Sequence, residues 1–241
     1  MGLNDETLKL AGVTPTYFAK AEAELDALER HLGRPVPTAL RELLVLEEWP
    51  AVLAENSNSD HPLPVAQLAS AVENDLLVFM IENQSVCRWG VPVAGPDDPP
   101  VMVLANDGRG DAWATAATRF STWFECQVRD RQLLARCRIA ANIQALPDAW
   151  LDELRDNFDQ GATTHRWPGE RNLRFSAPAG ALLLWDTTDQ CDWWISPSGR
   201  DISELLDLLP LRHGFDGAVY ALQPRDEVLL TKWLRKKHIE G

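Results

Sequence analysis

The sequence predicts an α+β protein, an antiparallel sheet packed against helices. Three patterns predict it: apolar residues at helical spacing as far as Val72, extended stretches joined by short turns from Leu76 to Trp113, and a long amphipathic pattern opening at Arg119. With 241 residues, 45% of them hydrophobic, the chain can bury a substantial core without disulfides or metal.

Thr14-Pro15 is a helix-start signal, and Phe18, Leu25, Leu28 and Leu32 recur at helical spacing until Gly33 and Pro35 end the pattern. Pro37 restarts it, and Leu40, Leu43 and Leu44 give a second short helix. AENSNSDHP reads as a surface loop, and after Pro64 a third short helix carries Leu68 and Val72. LLVFMI, Leu76 to Ile81, is apolar on both faces, as in a strand at the centre of a sheet. Val86 to Val93 then alternates, with Cys87, Trp89, Val91 and Val93 on one side. Asn83, Gln84 and Ser85 lie between the two runs, so a hairpin is the natural geometry. GPDDPP turns the chain into Val101 to Ala105, and NDGRGD leads to a fourth extended piece around Trp113. The result is an antiparallel meander. A helix from Arg119 follows, with Phe120, Trp123, Phe124 and Val128 on one face, running towards Cys137.

The last hundred residues repeat the theme loosely. Pro147 opens a helix bearing Trp150, Leu151, Leu154 and Phe158, and ALLLWD and CDWWISPS read as two strands joined through Thr187 to Gln190. DISELLDLLP is a short helix with Asp201 as N-cap, GAVYAL a strand, and PRDEVLLTKWLRKKH a closing helix with a basic C-terminal end.

At this point a family comes into view. The order of features, ERHLGRPVPTALRELL, LLVFMIENQSVCRWGVPV, DDPPVMV, Trp113 and FSTWFECQV, resembles the SMI1/KNR4 (SUKH) superfamily. The family markers are Glu82, Asn83, Gln84, Trp89 and Gly90, with Pro100 and Trp113 further on, and Ser85 stands where a glycine is usual. The resemblance covers residues 15–137, leaving 1–14 as an N-terminal segment. Residues 138–241 become a C-terminal α+β extension, packed on or continuing the same sheet. It implies an α+β fold without enzymatic activity. Bacterial relatives of this kind are immunity proteins that bind and block toxins; fungal ones are regulatory scaffolds.

Charge and cysteines bound the partners. A formal net charge of −13 disfavours phosphate backbones and anionic membranes and favours a basic protein partner, here expected to be a toxin domain. The four cysteines form no CxxC, so neither a zinc site nor a disulfide framework is indicated, and no cofactor is called for. The N-terminus has acidic residues where a signal peptide needs a basic region, and no apolar run reaches membrane-spanning length; a cytoplasmic protein is expected.

Chemistry is sought and mostly not found. The common hydrolase, nucleotide, zinc-protease and dinucleotide motifs are missing, and NDGRGD lacks the glutamate of a calcium loop, Thr118 standing at the twelfth position from Asp107. An enzyme would need His165 or His213 brought against carboxylates or a cysteine. Glu82 and Asn83 beside Cys87 lack a nearby histidine, so this stretch reads as a turn, with Asn and Gln side chains bonding its backbone. Partner binding is expected at acidic residues in connections, namely Asp97, Asp98, Asp107, Asp111, Asp186, Asp189 and Asp192, converging on one rim. Trp194 joins them, because adjacent Trp193 and Trp194 must face opposite ways in a strand.

Overall fold

Leucines every third or fourth residue, stopped by glycine or proline, build the helices at the start of the chain. The computed structural model describes residues 5–12, 19–46, 60–106, 112–187, 189–198, 202–210 and 218–237. Helix α1 is Asp5–Leu10, α2 is Ala19–Leu32 and α3 is Thr38–Leu44. Gly33 follows α2 at φ +68°, the left-handed conformation that closes a helix with little strain for glycine. Leu25 and Leu28 of α2 and Leu40, Leu43 and Leu44 of α3 are buried. The start signal at Thr14-Pro15, and Phe18, lie outside the described residues.

The third helix, α4, is shorter than its spacing suggests. It spans Val65–Leu68, and Val72 belongs instead to strand β2, Val72–Glu73. The helix closes because the Ser70 hydroxyl and amide both donate to the Gln67 carbonyl, and the chain then turns into a hairpin. Val72 pairs with Leu77 and Glu73 with Leu76, leaving Asn74 and Asp75 as a two-residue loop with φ +50° and +62°. That is the mirror-image turn that suits tight hairpins, and Asn and Asp tolerate it better than most residues.

The first sheet is a meander with two short strands on one edge. Strands β3 (Leu76–Ile81), β4 (Cys87–Pro92), β5 (Val101–Ala105) and β6 (Ala114–Ala117) follow in order, and β1 (His61–Pro62) and β2 both pair with β3. Leu76 to Met80 are all buried, as the two-sided apolar run requires. A bulge between Val78 and Met80 interrupts the pairing with β4 at Phe79, whose carbonyl accepts from the Leu63 amide. The Phe79 ring packs edge-on against Phe120 at 5.4 Å and Trp123 at 5.1 Å, holding helix α5 (Phe120–Arg136) on the sheet.

Two compact units divide the chain, Met1–Arg131 and Gln132–Gly241, and the division falls inside α5. Only Cys137 and Arg138 separate α5 from strand β7 (Ile139–Ile143), and the Cys137 thiol donates to the carbonyls of Ile139 and Ile195.

Of the two arrangements expected of the C-terminal strands, packed on or continuing the first sheet, continuation does not occur among the described residues. Those strands pair with one another in a second antiparallel sheet, ordered β13–β7–β12–β11–β10–β8, with β9 also on β10. Here β8 is Asp159–Gln160, β9 Thr164–His165, β10 Arg171–Ala177, β11 Gly180–Asp186, β12 Cys191–Pro197 and β13 Val219–Ala221. Helices α6 (Asp148–Asn157), α7 (Ile202–Leu208) and α8 (Pro224–Lys237) supply Leu151, Leu154, Leu205, Leu206, Leu230 and Trp233 to one core with Leu182, Leu184, Trp193 and Ile195. A self-contained core needs its own sheet, which is the physical reason the ladder does not run on from the first unit. Asp201, the expected cap of α7, lies outside the described residues. Among the described residues no helix is long and apolar enough to cross a membrane.

Candidate functional site

The ENQSVCRWG stretch closes the β3–β4 hairpin. The Glu82 amide donates to the Cys87 carbonyl, and the Glu82 carboxylate accepts from the amides of Gln84 at 2.8 Å and Val86 at 3.3 Å. The glutamate thus bonds the turn backbone, as an ionised carboxylate is a strong acceptor. Ser85 sits at φ +59°, in the left-handed region. This explains why glycine suits that position and serine is strained there. Cys87 and Trp89 are buried, and a Cβ on Gly90 would lie 3.2 Å from the Leu77 carbonyl oxygen, so the tryptophan–glycine pair lets two strands approach closely. Pro100 and Trp113 are half-buried, flanking β5 and β6. Glu82, Trp89 and Gly90 thus have turn or packing roles.

The acidic residues divide into two kinds. Asp97 and Asp98 are fasteners: the Asp98 carboxylate accepts from the Ser121 amide at 2.9 Å and the Ser121 hydroxyl at 2.6 Å, capping the start of α5 from a distant loop. The Asp97 carboxylate accepts from the Thr38 hydroxyl at 3.0 Å, and its carbonyl accepts from the Ala39 amide at 2.8 Å, so the same dipeptide closes the start of α3. Neither helix has a capping side chain at its own start, since Pro37 and Arg119 precede them. Asp186 is also committed, buried and paired with the Arg171 guanidinium at 2.8 Å through Nε.

Asp189 and Asp192 are placed differently. They occupy the turn and first residues of the β11–β12 hairpin, where the Thr187 amide donates to the Gln190 carbonyl and Gln190 Nε2 donates to Asp192 Oδ1 at 2.8 Å. Asp192 lies directly across from Trp185, and Leu183 across from Trp194. Alternation therefore puts Asp192, Trp185 and Trp194 on one face of the sheet, with Trp193 buried on the other. The two indoles meet edge to face at 5.2 Å, both half-buried, and the Trp194 N–H is itself buried, with no acceptor among the described residues. Sequence reasoning found Trp194 but missed Trp185; its place two residues after Leu183, and so on the face opposite to Leu182 and Leu184, was the available signal. Asp107 and Asp111 lie outside the described residues.

The thiols are poorly suited to nucleophilic work. All four cysteines are buried thiols outside any disulfide, and burial, reinforced by the carboxylates of Asp186 and Asp192, pushes the Cys191 thiol far above its ordinary value. Cys137 is pushed up too, chiefly by burial, against the opposing effect of backbone hydrogen bonds. His165 is exposed, its Nδ1 3.3 Å from the Glu170 carbonyl, while His213 lies outside the described residues. Among the described residues no three His, Cys, Asp or Glu side chains group as metal ligands.

No family model matches this chain, and neither a curated protein nor a solved structure does.

Proposed function

We propose that this chain is a binding protein without catalytic turnover, an immunity protein of the SMI1/KNR4 type that occupies and blocks a basic toxin domain. The observation that carries the reading is the β11–β12 hairpin, where Asp189 and Asp192 stand beside the Trp185–Trp194 pair in a chain of net charge −13. Carboxylates there would steer a basic partner, and the indoles would supply a contact area that loses little side-chain entropy on binding. Asp97, Asp98 and Asp186 contribute to the field, but their hydrogen bonds give them structural duties first. On this reading the protein acts in the cytoplasm, where reduced thiols persist.

The test looks for a toxin gene beside this one and pairs the chain with its product. Co-expression should rescue growth, and Asp189→Lys with Asp192→Lys should slow association by about ten-fold at low salt. Equal killing with and without the protein would defeat the pairing, and an association rate indifferent to salt would remove the electrostatic part.

A further inference from the structure

Five large hydrophobic side chains are exposed among the described residues, and four of them fall within ten positions: Tyr220 (46%), Leu222 (38%), Val228 (60%) and Leu229 (39%). They belong to the corner formed by β13 and α8, which pack against each other. Helix α8 buries Asp226, Leu230 and Trp233 on its inner face and exposes Val228 and Leu229 with the cations Arg225, Lys232, Arg235 and Lys236, against one exposed carboxylate, Glu227. None of these four cations forms a salt bridge among the described residues. In a chain of net charge −13 this corner reverses the prevailing sign.

The adjoining strand is open. Among the described residues β13 pairs with β7 alone, so it is an edge of the second sheet. The Leu222 amide donates to the Arg138 carbonyl and the Asn142 amide to the Ala218 carbonyl, which fixes the phase of the ladder. By the two-residue alternation of an antiparallel pair, the backbone groups of Val219 and Ala221 point away from β7. Tyr220 rises from the face opposite to that of Val219 and Ala221, which pack on the helix-covered core. An extended segment laid along this edge would meet open backbone groups, aromatic surface beside them, and a basic helix next in the chain.

We propose that the β13–α8 corner is a docking surface for an acidic, extended segment of a partner protein, which adds to β13 as a strand. Backbone pairing holds the segment, apolar side chains cover Tyr220 and Leu222, and its carboxylates answer the cations of α8. An anionic membrane fits less well, because the rest of the chain repels it and bilayers offer no backbone groups to an open strand. Tyr220 and Trp194 both lie opposite Ala140 on one sheet face, so the two readings are told apart by their variants: Asp189→Lys with Asp192→Lys tests the hairpin, and Lys232→Glu and Val219→Pro test this corner.

The experiment uses the full-length, isotope-labelled protein and two synthetic peptides, one alternating Glu and Val, the other Lys and Val. Amide shifts on titration should concentrate at residues 218–229 with the Glu–Val peptide and be absent with Lys–Val. Lys232→Glu, at an exposed position, should weaken binding by about ten-fold. Val219→Pro removes an outward amide and should abolish the shifts while circular dichroism stays unchanged. No shifts with the Glu–Val peptide, equal response to both peptides, or shifts at this corner only with phosphatidylserine vesicles would each overturn the proposal. So would concentration-dependent shifts without peptide, which would assign the corner to a second copy of the chain.

Discussion

Asp226→Asn tests the joint between the last helix and the second sheet. Asp226 is fully buried in the first turn of α8 and accepts from Arg138 twice, from Nε at 2.8 Å and from a terminal nitrogen. Breaking a buried ion pair costs about 3–5 kcal/mol because the surviving charge is stranded. Arg138 keeps 20% of its side-chain surface exposed and can regain water, which reduces the expected loss to about 2–3 kcal/mol. Urea unfolding should move to lower concentration by about 1 M, taking a dependence of about 2–3 kcal/mol per molar. A cycle with Arg138→Met should return a coupling of about 2 kcal/mol. The Asp226 carboxyl is held below its ordinary value of 3.8, first by the Arg138 hydrogen bond, with burial opposing and the Arg138 and Arg225 charges assisting. Because the folded value is the lower one, the stabilisation is complete above the unfolded value and is lost as pH falls through the folded value. The gap between native protein and Asp226→Asn should therefore be constant near neutrality and close under acid. A coupling below about 0.5 kcal/mol, or a gap that widens in acid, would refute the reasoning.

Other substitutions read individual features. Ser85→Gly should stabilise the protein by about 0.5–1 kcal/mol in urea unfolding, since it relieves the left-handed strain at φ +59° and gives back part of that in unfolded-state entropy. Gly169→Ala should destabilise by about 2 kcal/mol or more, because its Cβ would lie 2.8 Å from the Asp186 amide nitrogen, and backbone cannot move aside cheaply. Asp98→Ala should cost about 1–2 kcal/mol by uncapping α5, and Ser121→Ala, which removes only the hydroxyl bond at 2.6 Å, should cost less. Native protein should react with fewer than one thiol equivalent of a disulfide reagent at pH 8, whereas urea should expose all four cysteines.

The strands and helices with strong periodicity were legible from residues alone. LLVFMI, ALLLWD and CDWWISP are strands in the places expected, and the helices after Pro37, Arg119 and Pro147 begin where the sequence puts them. Strands β7 and β10 were not read. RNLRFSA carries Leu173, Phe175 and Ala177 at alternate positions facing the core, but its other face is polar, and there Arg174 is buried and donates to the carbonyls of Ala162 and Asn172 and to the Thr164 hydroxyl. Polar residues satisfied by backbone leave no hydrophobic signal in a sequence.

The acidic residues show the same limit. That Asp97-Asp98 lies in a connection is written in GPDDPP; that it fastens the starts of α3 and α5 depends on elements 59 and 23 positions away. Likewise, sequence alone put Trp193 and Trp194 on opposite faces, since strand geometry demands it, but only the pairing of β11 with β12 brought Trp185 against Trp194. Local patterns determine which segments are helix or strand, because periodicity and turn chemistry act over a few residues. Tertiary structure decided that the C-terminal strands close on their own core and which carboxylates are spent on helix ends, because hydrogen bonds and burial join residues that the sequence keeps far apart.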